Sequence, residues 1–251
     1  MKKSTVIIIT TLGVCLLSNH ANSASFDCKK ASTWVEKTIC QSPELSKLDD
    51  AMAKKYRANL NDGANEEDSE SYKNNVIIDQ KLWLNFQRNT CKDTKCLKRE
   101  YEEHIGEKTD SNWNDDLDSS DLPNKNAFGE FSKNFQISIY NLDGQRKNTL
   151  QDATNTLSIN KVDNKPHLSV IESDLVFNNL HTCGIEESIA TWSQNHWVIH
   201  DNSQDKEVRL RLYPALYQGK SQLLLKDVDY QFSSGRCGVR GYFDGIILER
   251  E

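Results

Sequence analysis

Six cysteines follow the first two dozen residues of this chain, and they constrain its fold more than any other feature of the sequence. They are Cys28, Cys40, Cys91, Cys96, Cys183 and Cys237. An even number of cysteines in an exported chain predicts a disulfide framework, here of three bonds. Four of them lie before residue 100 and two lie towards the end of the chain, which favours two separately stapled units.

The first residues have the pattern of a secretory signal peptide. Lys2 and Lys3 provide a positive start, residues 6–17 form an apolar run, and small side chains surround a predicted cleavage point after Ser23 or Ala24. The apolar run is shorter than the roughly 20 residues that a transmembrane helix needs. We therefore expect residues 1–24 to be a signal peptide that is removed on export, which predicts a periplasmic protein.

An alternative interpretation of the leader is a lipoprotein anchored through Cys15. Bacterial lipoproteins resemble one another in having Gly, Ala or Ser before that cysteine, whereas Val14 stands there in this chain. The sequence therefore predicts no stable membrane anchor.

The cysteines that follow the predicted leader could alternatively bind zinc. Neither Cys28 and Cys40 nor Cys91 and Cys96 form a CxxC pair, and His104 alone is a poor additional ligand. Structural zinc sites have restricted ligand spacings that this chain does not match. We expect no metal and no other cofactor.

The charge balance bears on the class of partner. Lys and Arg total 31 against 37 Asp and Glu, a net charge of −6. Loss of residues 1–24 would remove two lysines and no acid, which gives −8. A nucleic-acid binder would present a basic surface, so the composition argues against that class. Opposite charge would instead accelerate encounter with a basic protein partner.

Residues 25–109 are predicted to form a helical domain. Thr33–Glu36 is a capping box that begins a first helix, and Ser42 and Pro43 begin a second. Three later apolar stripes at helical spacing are Leu45, Leu48, Met52, Tyr56 and Leu60; Tyr72, Val76, Trp83 and Phe86; and Leu97, Tyr101 and Ile105. Gly106 is the expected stop of the last helix. Four such helices bury a small core, which disulfides help to stabilise.

The pairing of the four cysteines in this half is open to three arrangements. The second and third helices are expected to be antiparallel, which would bring Cys40 towards Cys91. Cys28 and Cys96 would then pair outside them. We prefer this nested arrangement without excluding the other two.

The second half of the chain has a different period. Residues 110–126 are acidic and polar and are predicted to be a linker. Residues 127–251 contain short apolar alternations, such as Phe135, Ile137 and Ile139, and one strand that alternates with arginines at Arg209 and Arg211. Short strands at this spacing predict an antiparallel sandwich or a small barrel. The predicted fold class is α+β.

Residues from about 25 to 106 resemble the LprI-type lysozyme-inhibitor N-terminal domain family. The matching segments are Ser25–Cys28, Val35–Cys40, Pro43–Leu45, Leu48–Asp49, Gln80, Trp83–Leu84, Arg88–Cys91, Cys96–Leu97, Tyr101 and Ile105. His104 departs from the usual Arg, and an acidic insert occupies residues 64–71. The C-terminal segments His181–Cys183 and Arg236–Gly245 are more loosely similar to β-rich tails of small exported bacterial proteins.

The resemblance implies a periplasmic protein that binds and blocks a cell-wall hydrolase, with a basic muramidase as the expected partner. Some LprI-like domains occur in proteins that neutralise antibacterial toxins, so an immunity protein is an alternative. A non-catalytic envelope scaffold is another. None of these three functions implies catalysis, and the chain lacks HExxH, GxSxG and P-loop motifs. We expect no enzyme and no catalytic residues.

Two pairs of residues are candidate chemical sites. His196 and His200 lie on one predicted strand, where they could form a ligand or catalytic pair, although a solvent-facing pair is the simpler interpretation. Asp227 and Asp229 could bind calcium together with a turn carbonyl, but no patterned EF-hand loop surrounds them.

The predicted partner-binding residues are Arg236, Arg240 and Tyr242 in the last hairpin loop, because Arg and aromatic side chains often anchor interfaces. Trp192 and Trp197 are further candidates on the sheet. For the two tryptophans we favour packing in the core, since Trp is mostly buried.

Overall fold

The computed structural model describes residues 24–62, 69–106, 121–140, 148–201, 208–228 and 230–251. Residues 1–23 of the predicted signal peptide, residues 64–68 of the acidic insert and most of the predicted linker lie outside this part of the chain. No helix among the described residues is long and apolar enough to cross a membrane.

Four α-helices make up the N-terminal half. They are α1 (Trp34–Gln41), α2 (Pro43–Asp62), α3 (Ser69–Leu82) and α4 (Thr94–Ile105). A π-helical turn (Trp83–Gln87) and a 3₁₀ turn (Arg88–Thr90) continue α3. The predicted capping box is confirmed, since Glu36 N–H donates to the Thr33 hydroxyl and Thr33 N–H donates to the Glu36 carboxylate. Gly106 ends α4 with φ +80°, as its position predicts.

The helical core forms where the four helices converge. Ile39, Leu97 and Tyr101 are fully buried there, and the Trp83 indole donates to the carbonyl of Glu100 at 3.2 Å. The predicted stripe on the third helix is wrong for Tyr72, which is exposed. The reason is that α3 is buried only near its end, at Gln80, and its first turns lie outside the core.

The two disulfides of the helical half join cysteines that are close in sequence. Cys28 pairs with Cys40 and Cys91 pairs with Cys96, so the nested arrangement preferred from the sequence is wrong. A 3₁₀ turn at Cys28–Lys30 lies against α1 and brings Cys28 to within 5.8 Å of Cys40, Cα to Cα. Similarly, α4 begins at Thr94, three residues after Cys91, and its first turn places the Cα of Cys96 5.5 Å from that of Cys91.

Eight antiparallel strands form a closed barrel in chain order. They are β1 (Gly129–Tyr140), β2 (Asn148–Lys161), β3 (Leu168–Val176), β4 (Thr182–Ser193), β5 (His196–Asp201), β6 (Val208–Tyr217), β7 (Lys220–Val228) and β8 (Ile247–Arg250). Strand β8 closes the barrel by pairing with both β7 and β1. The prediction of an α+β fold with a β-rich second half is confirmed. Of the two predicted architectures, a sandwich or a barrel, the structure has the barrel.

The barrel interior contains Trp192 and Trp197, whose rings meet edge to face at 5.1 Å. Both side chains are buried, which confirms the prediction that they pack in the core. The Trp197 indole donates to the carbonyl of Ala127 at 2.8 Å. These tryptophans therefore stabilise the core and are not available to a partner.

The helical half packs on the outer face of strands β6 and β7. Phe86 of the helical half shares a third apolar core with Tyr213, Ala215 and Leu224 of the barrel. The basic face predicted for β6 is therefore covered and buried, and does not face solvent. The two halves have separate cores but a common interface.

Candidate functional site

Two loops tied by a disulfide form an exposed surface at one end of the barrel. Cys183 at the start of β4 is bonded to Cys237 in the segment between β7 and β8. Gly238 N–H donates to the carbonyl of Thr182 at 2.8 Å, and the rings of Phe177 and Tyr242 lie 4.9 Å apart. The segments around residues 177–183 and 236–242 are thus held side by side.

Four side chains project from these segments, and together we call them the loop surface: Leu180, Val239, Arg240 and Tyr242. Leu180 is 59 % exposed, Val239 78 % and Tyr242 51 %, and Arg240 is also exposed. Large apolar side chains clustered on a surface commonly indicate a binding site. The loop surface combines apolar contacts with one cation.

The backbone of the loop surface is strained at two positions. Leu180 has φ +61° and Arg240 has φ +78°. Such angles are uncommon for residues other than glycine, and they persist where the surrounding structure enforces them. Here the disulfide between Cys183 and Cys237 and the hydrogen bond between Gly238 and Thr182 provide that restraint.

The structure separates the three residues predicted to bind a partner. Arg240 and Tyr242 lie in the loop surface, whereas Arg236 is half-buried behind it. Arg236 forms an ion pair with Asp201, and its guanidinium lies 4.1 Å from the centre of the Phe232 ring. Its interactions within the molecule give Arg236 a structural role in holding the loop.

The two histidines of β5 do not form a pair. His196 is completely buried beneath the helical half, while His200 is exposed. The expectation that both face solvent is therefore wrong for His196. Helix α4 covers this end of the strand, and Arg99 Nη2 on that helix lies 3.4 Å from His196 Nδ1. The same ring nitrogen lies 2.8 Å from Asn195 Oδ1.

Asp227 stabilises the segment that follows β7. Its buried carboxylate accepts hydrogen bonds from Phe232 N–H at 2.8 Å, Ser233 N–H at 2.9 Å and the Ser233 hydroxyl at 2.6 Å. These bonds hold the segment after β7, and they occupy the oxygens considered for calcium. Asp229, the other residue of that hypothesis, lies outside the described part of the chain.

A buried polar cluster connects the two halves. Arg211 on β6 forms an ion pair with Glu103 on α4 at 2.5 Å. Asn195 in the turn before β5 donates to the carbonyl of Gln87 at 3.0 Å and accepts from Arg99 at 2.8 Å. Burying such groups is favourable only when they are paired, so this cluster fixes the orientation of the helices on the barrel.

Glu100 lies at the centre of the polar cluster. One carboxylate oxygen accepts from Arg99 at 2.8 Å, and burial raises the pKa of Glu100. Among the described residues, Cys91, Cys96 and Glu100 have potential metal-ligating atoms that lie within 4.8 Å of one another. Because the two sulfurs are joined to each other, neither is a thiolate that could bind a metal.

A cleft of about 600 Å³ opens along the junction of the two halves. Helices α2 and α3 form one wall, with Tyr56 and Asp79 among the lining residues. Strand β7 and the segments that follow it form the other, with Lys226 and Tyr230. The Arg211–Glu103 ion pair lies in the lining as well. We call this space the junction cleft.

His104 lines the cleft as a neutral ring. Its imidazole stacks on Trp83 with centroids 4.3 Å apart, and its Nε2 lies 3.1 Å from Gln80 Oε1. Burial, with smaller contributions from Lys55 and Lys226, lowers the pKa of His104 to about 3.

Sequence reasoning did not predict the cleft or the polar cluster. One available signal was on β6, where Tyr213 and Ala215 follow Arg209 and Arg211 on the same face. Two apolar residues on an otherwise basic face indicate that another element covers it. No pattern within the helical half identified its partner face.

Comparison of the chain with protein-family models, with curated proteins and with solved structures found no match.

Proposed function

We propose that this protein is an exported, non-catalytic inhibitor that docks on a basic muramidase or a related cell-wall-active enzyme. The loop surface is the observation that carries the proposal. It presents Leu180, Val239 and Tyr242 as exposed apolar contacts beside Arg240. Aromatic and Arg side chains are the residues that most often dominate protein interfaces.

The restraint on these loops favours binding by a preformed surface. The bond between Cys183 and Cys237 spans 54 residues and joins the two segments directly. A surface that is already ordered loses less conformational entropy when a partner binds. The inhibitor would then act by covering the active cleft of its target, without chemistry of its own.

Charge supports a basic target. The chain without residues 1–24 has a net charge of −8, and opposite charge increases the association rate at low salt. The resemblance of residues 25–106 to LprI-type domains supports a cell-wall hydrolase as the class of target. Disulfides suit an oxidising compartment, in agreement with export to the periplasm.

The test measures muramidase activity with the purified oxidised protein, without its leader, in excess. We expect inhibition of at least one basic muramidase, and loss of inhibition in Val239→Asp and Tyr242→Ala. Leu216→Asp is the matched control, since Leu216 is 73 % exposed in the β6–β7 hairpin, outside the loop surface. Unchanged activity across several muramidase types contradicts the proposal, as does equal inhibition by all three variants.

A further inference from the structure

We infer that the junction cleft binds a short, neutral oligosaccharide. Its volume of about 600 Å³ lies within the roughly 300–1,000 Å³ typical of small-molecule sites. Such sites combine apolar or aromatic walls with a few placed polar groups. The cleft involves residues other than the loop surface, so this inference is separate from docking on an enzyme.

The charges in the cleft argue against an anionic ligand. Lys55 donates to the carbonyls of His104 and Ile105, which end helix α4. Lys226 forms an ion pair with Asp244 at 3.0 Å. The third cation, Arg211, is paired with Glu103. Each cation is therefore already engaged within the protein, and a phosphate or carboxylate ligand would have to displace a carbonyl or an acid.

The remaining polar groups suit hydroxyls. Tyr56 and Asn59 on α2, Asp79 on α3 and Tyr230 after β7 all line the cleft. Within the described part of the chain, their side chains make no hydrogen bond to another residue. They offer phenol, amide and carboxylate groups, which donate to and accept from hydroxyls. Two of the four also provide aromatic rings, on which the C–H faces of sugar rings can pack.

Tyr230 is held in an unusual conformation at the rim of the cleft. Its φ is +56°, and its side chain is 70 % exposed. Lys226 Nζ lies 5.5 Å from the centre of its ring. Residues with such backbone angles occur preferentially in binding and catalytic sites. The strain therefore supports a ligand-binding role for Tyr230 in this cleft.

The experiment is a ¹H–¹⁵N NMR titration of the oxidised full protein. The probes are the trisaccharide of N-acetylglucosamine and maltotriose, up to roughly 10 mM, a concentration at which even millimolar dissociation constants are detectable. We expect saturable shifts confined to the cleft residues. Tyr230→Ala and Asp79→Asn should each weaken binding at least tenfold. Both side chains are exposed, so neither change should disturb the fold.

Tyr72→Ala is the control, because it removes an exposed tyrosine outside both the cleft and the loop surface and should leave saccharide binding unchanged. Binding of the N-acetylglucosamine trisaccharide alone would add recognition of the acetamido group, and binding of both probes would support a general saccharide site. No saturable shift with either probe overturns the inference. Shifts that map elsewhere, or that persist in both cleft variants, overturn it too. No enzyme is present, so these outcomes do not depend on muramidase inhibition.

Discussion

Ser25 is bound to Asp49 by two hydrogen bonds. The backbone N–H of Ser25 donates to Asp49 Oδ2 at 2.8 Å, and its hydroxyl donates to the same oxygen at 2.6 Å. Asp49 is completely buried on α2, and its other oxygen accepts from the Tyr101 hydroxyl at 2.6 Å. The segment directly after the predicted leader is therefore part of the helical core.

The first prediction concerns this contact. Ser25→Ala removes one donor from a buried carboxylate and should lower the free energy of unfolding by about 1–3 kcal/mol. Ser32→Ala is the matched control, since the Ser32 hydroxyl donates to the Glu36 carboxylate at an exposed site. We expect it to cost no more than about 0.5 kcal/mol. Urea unfolding of the leaderless protein measures both, and equal effects would contradict the role assigned to Asp49.

The second prediction concerns the ion pair between the two halves. Arg211→Ala leaves Glu103 without its buried partner and should cost about 3–5 kcal/mol. Lys220→Ala removes an exposed pair with Glu249 and should cost about 0–1 kcal/mol. Chemical unfolding followed by tryptophan fluorescence measures the difference. If the two variants are equally stable, the buried cluster does not fix the junction.

The third prediction concerns pH. The pKa of His104 is about 3 in the folded protein, mainly because of burial, against about 6.5 when unfolded. The unfolded chain therefore takes up a proton below pH 6.5 that the folded protein does not. This lowers the free energy of unfolding by about 2 kcal/mol between pH 6.5 and 5.

The variant His104→Phe keeps a ring on Trp83 and removes the titrating group. Its free energy of unfolding should fall less than that of the unaltered protein over the same pH range, by about 2 kcal/mol. The measurement is urea unfolding at pH 6.5 and pH 5. An identical pH dependence in the two proteins would show that His104 titrates normally in the fold.

The fourth prediction concerns the glycine beside the loop disulfide. A Cβ on Gly241 would lie 2.7 Å from Cys183 Sγ and 3.0 Å from Cys237 Cβ. Gly241→Ala should therefore displace the disulfide and destabilise the barrel by about 1–3 kcal/mol. At Gly238 the nearest atoms would be at 3.7 Å, an ordinary contact, so Gly238→Ala should change stability by less than about 0.5 kcal/mol. Thermal unfolding of both variants measures the difference in stability. Equal midpoints of unfolding would contradict the close approach of Gly241 to the disulfide.

Local rules predicted much of this fold because some signals act over a few residues. The capping box at Thr33 and the stop at Gly106 depend only on backbone groups within one helical turn. The change from helical to strand period predicted helices in the first half and strands in the second, as the structure has them. These features do not depend on where distant segments lie.

The rest depends on contacts between segments far apart in sequence. The pairing of Cys28 with Cys40 follows from a turn that leads into α1, and helix antiparallelism alone does not reveal it. His196 is buried because α4 lies over the start of β5, which no periodicity within the strand reports. The cleft exists only because two halves with different periods pack together.

The most direct test of the central claim is a calorimetric titration of basic muramidases of several types with the oxidised protein. The claim predicts saturable binding of at least one muramidase. A Cys183→Ala/Cys237→Ala variant, shown by circular dichroism to keep its strands, should bind at least tenfold more weakly, because its loops must be ordered on binding. Absence of binding to every muramidase, or equal affinity of the two proteins, would contradict a docking surface held in place by this disulfide.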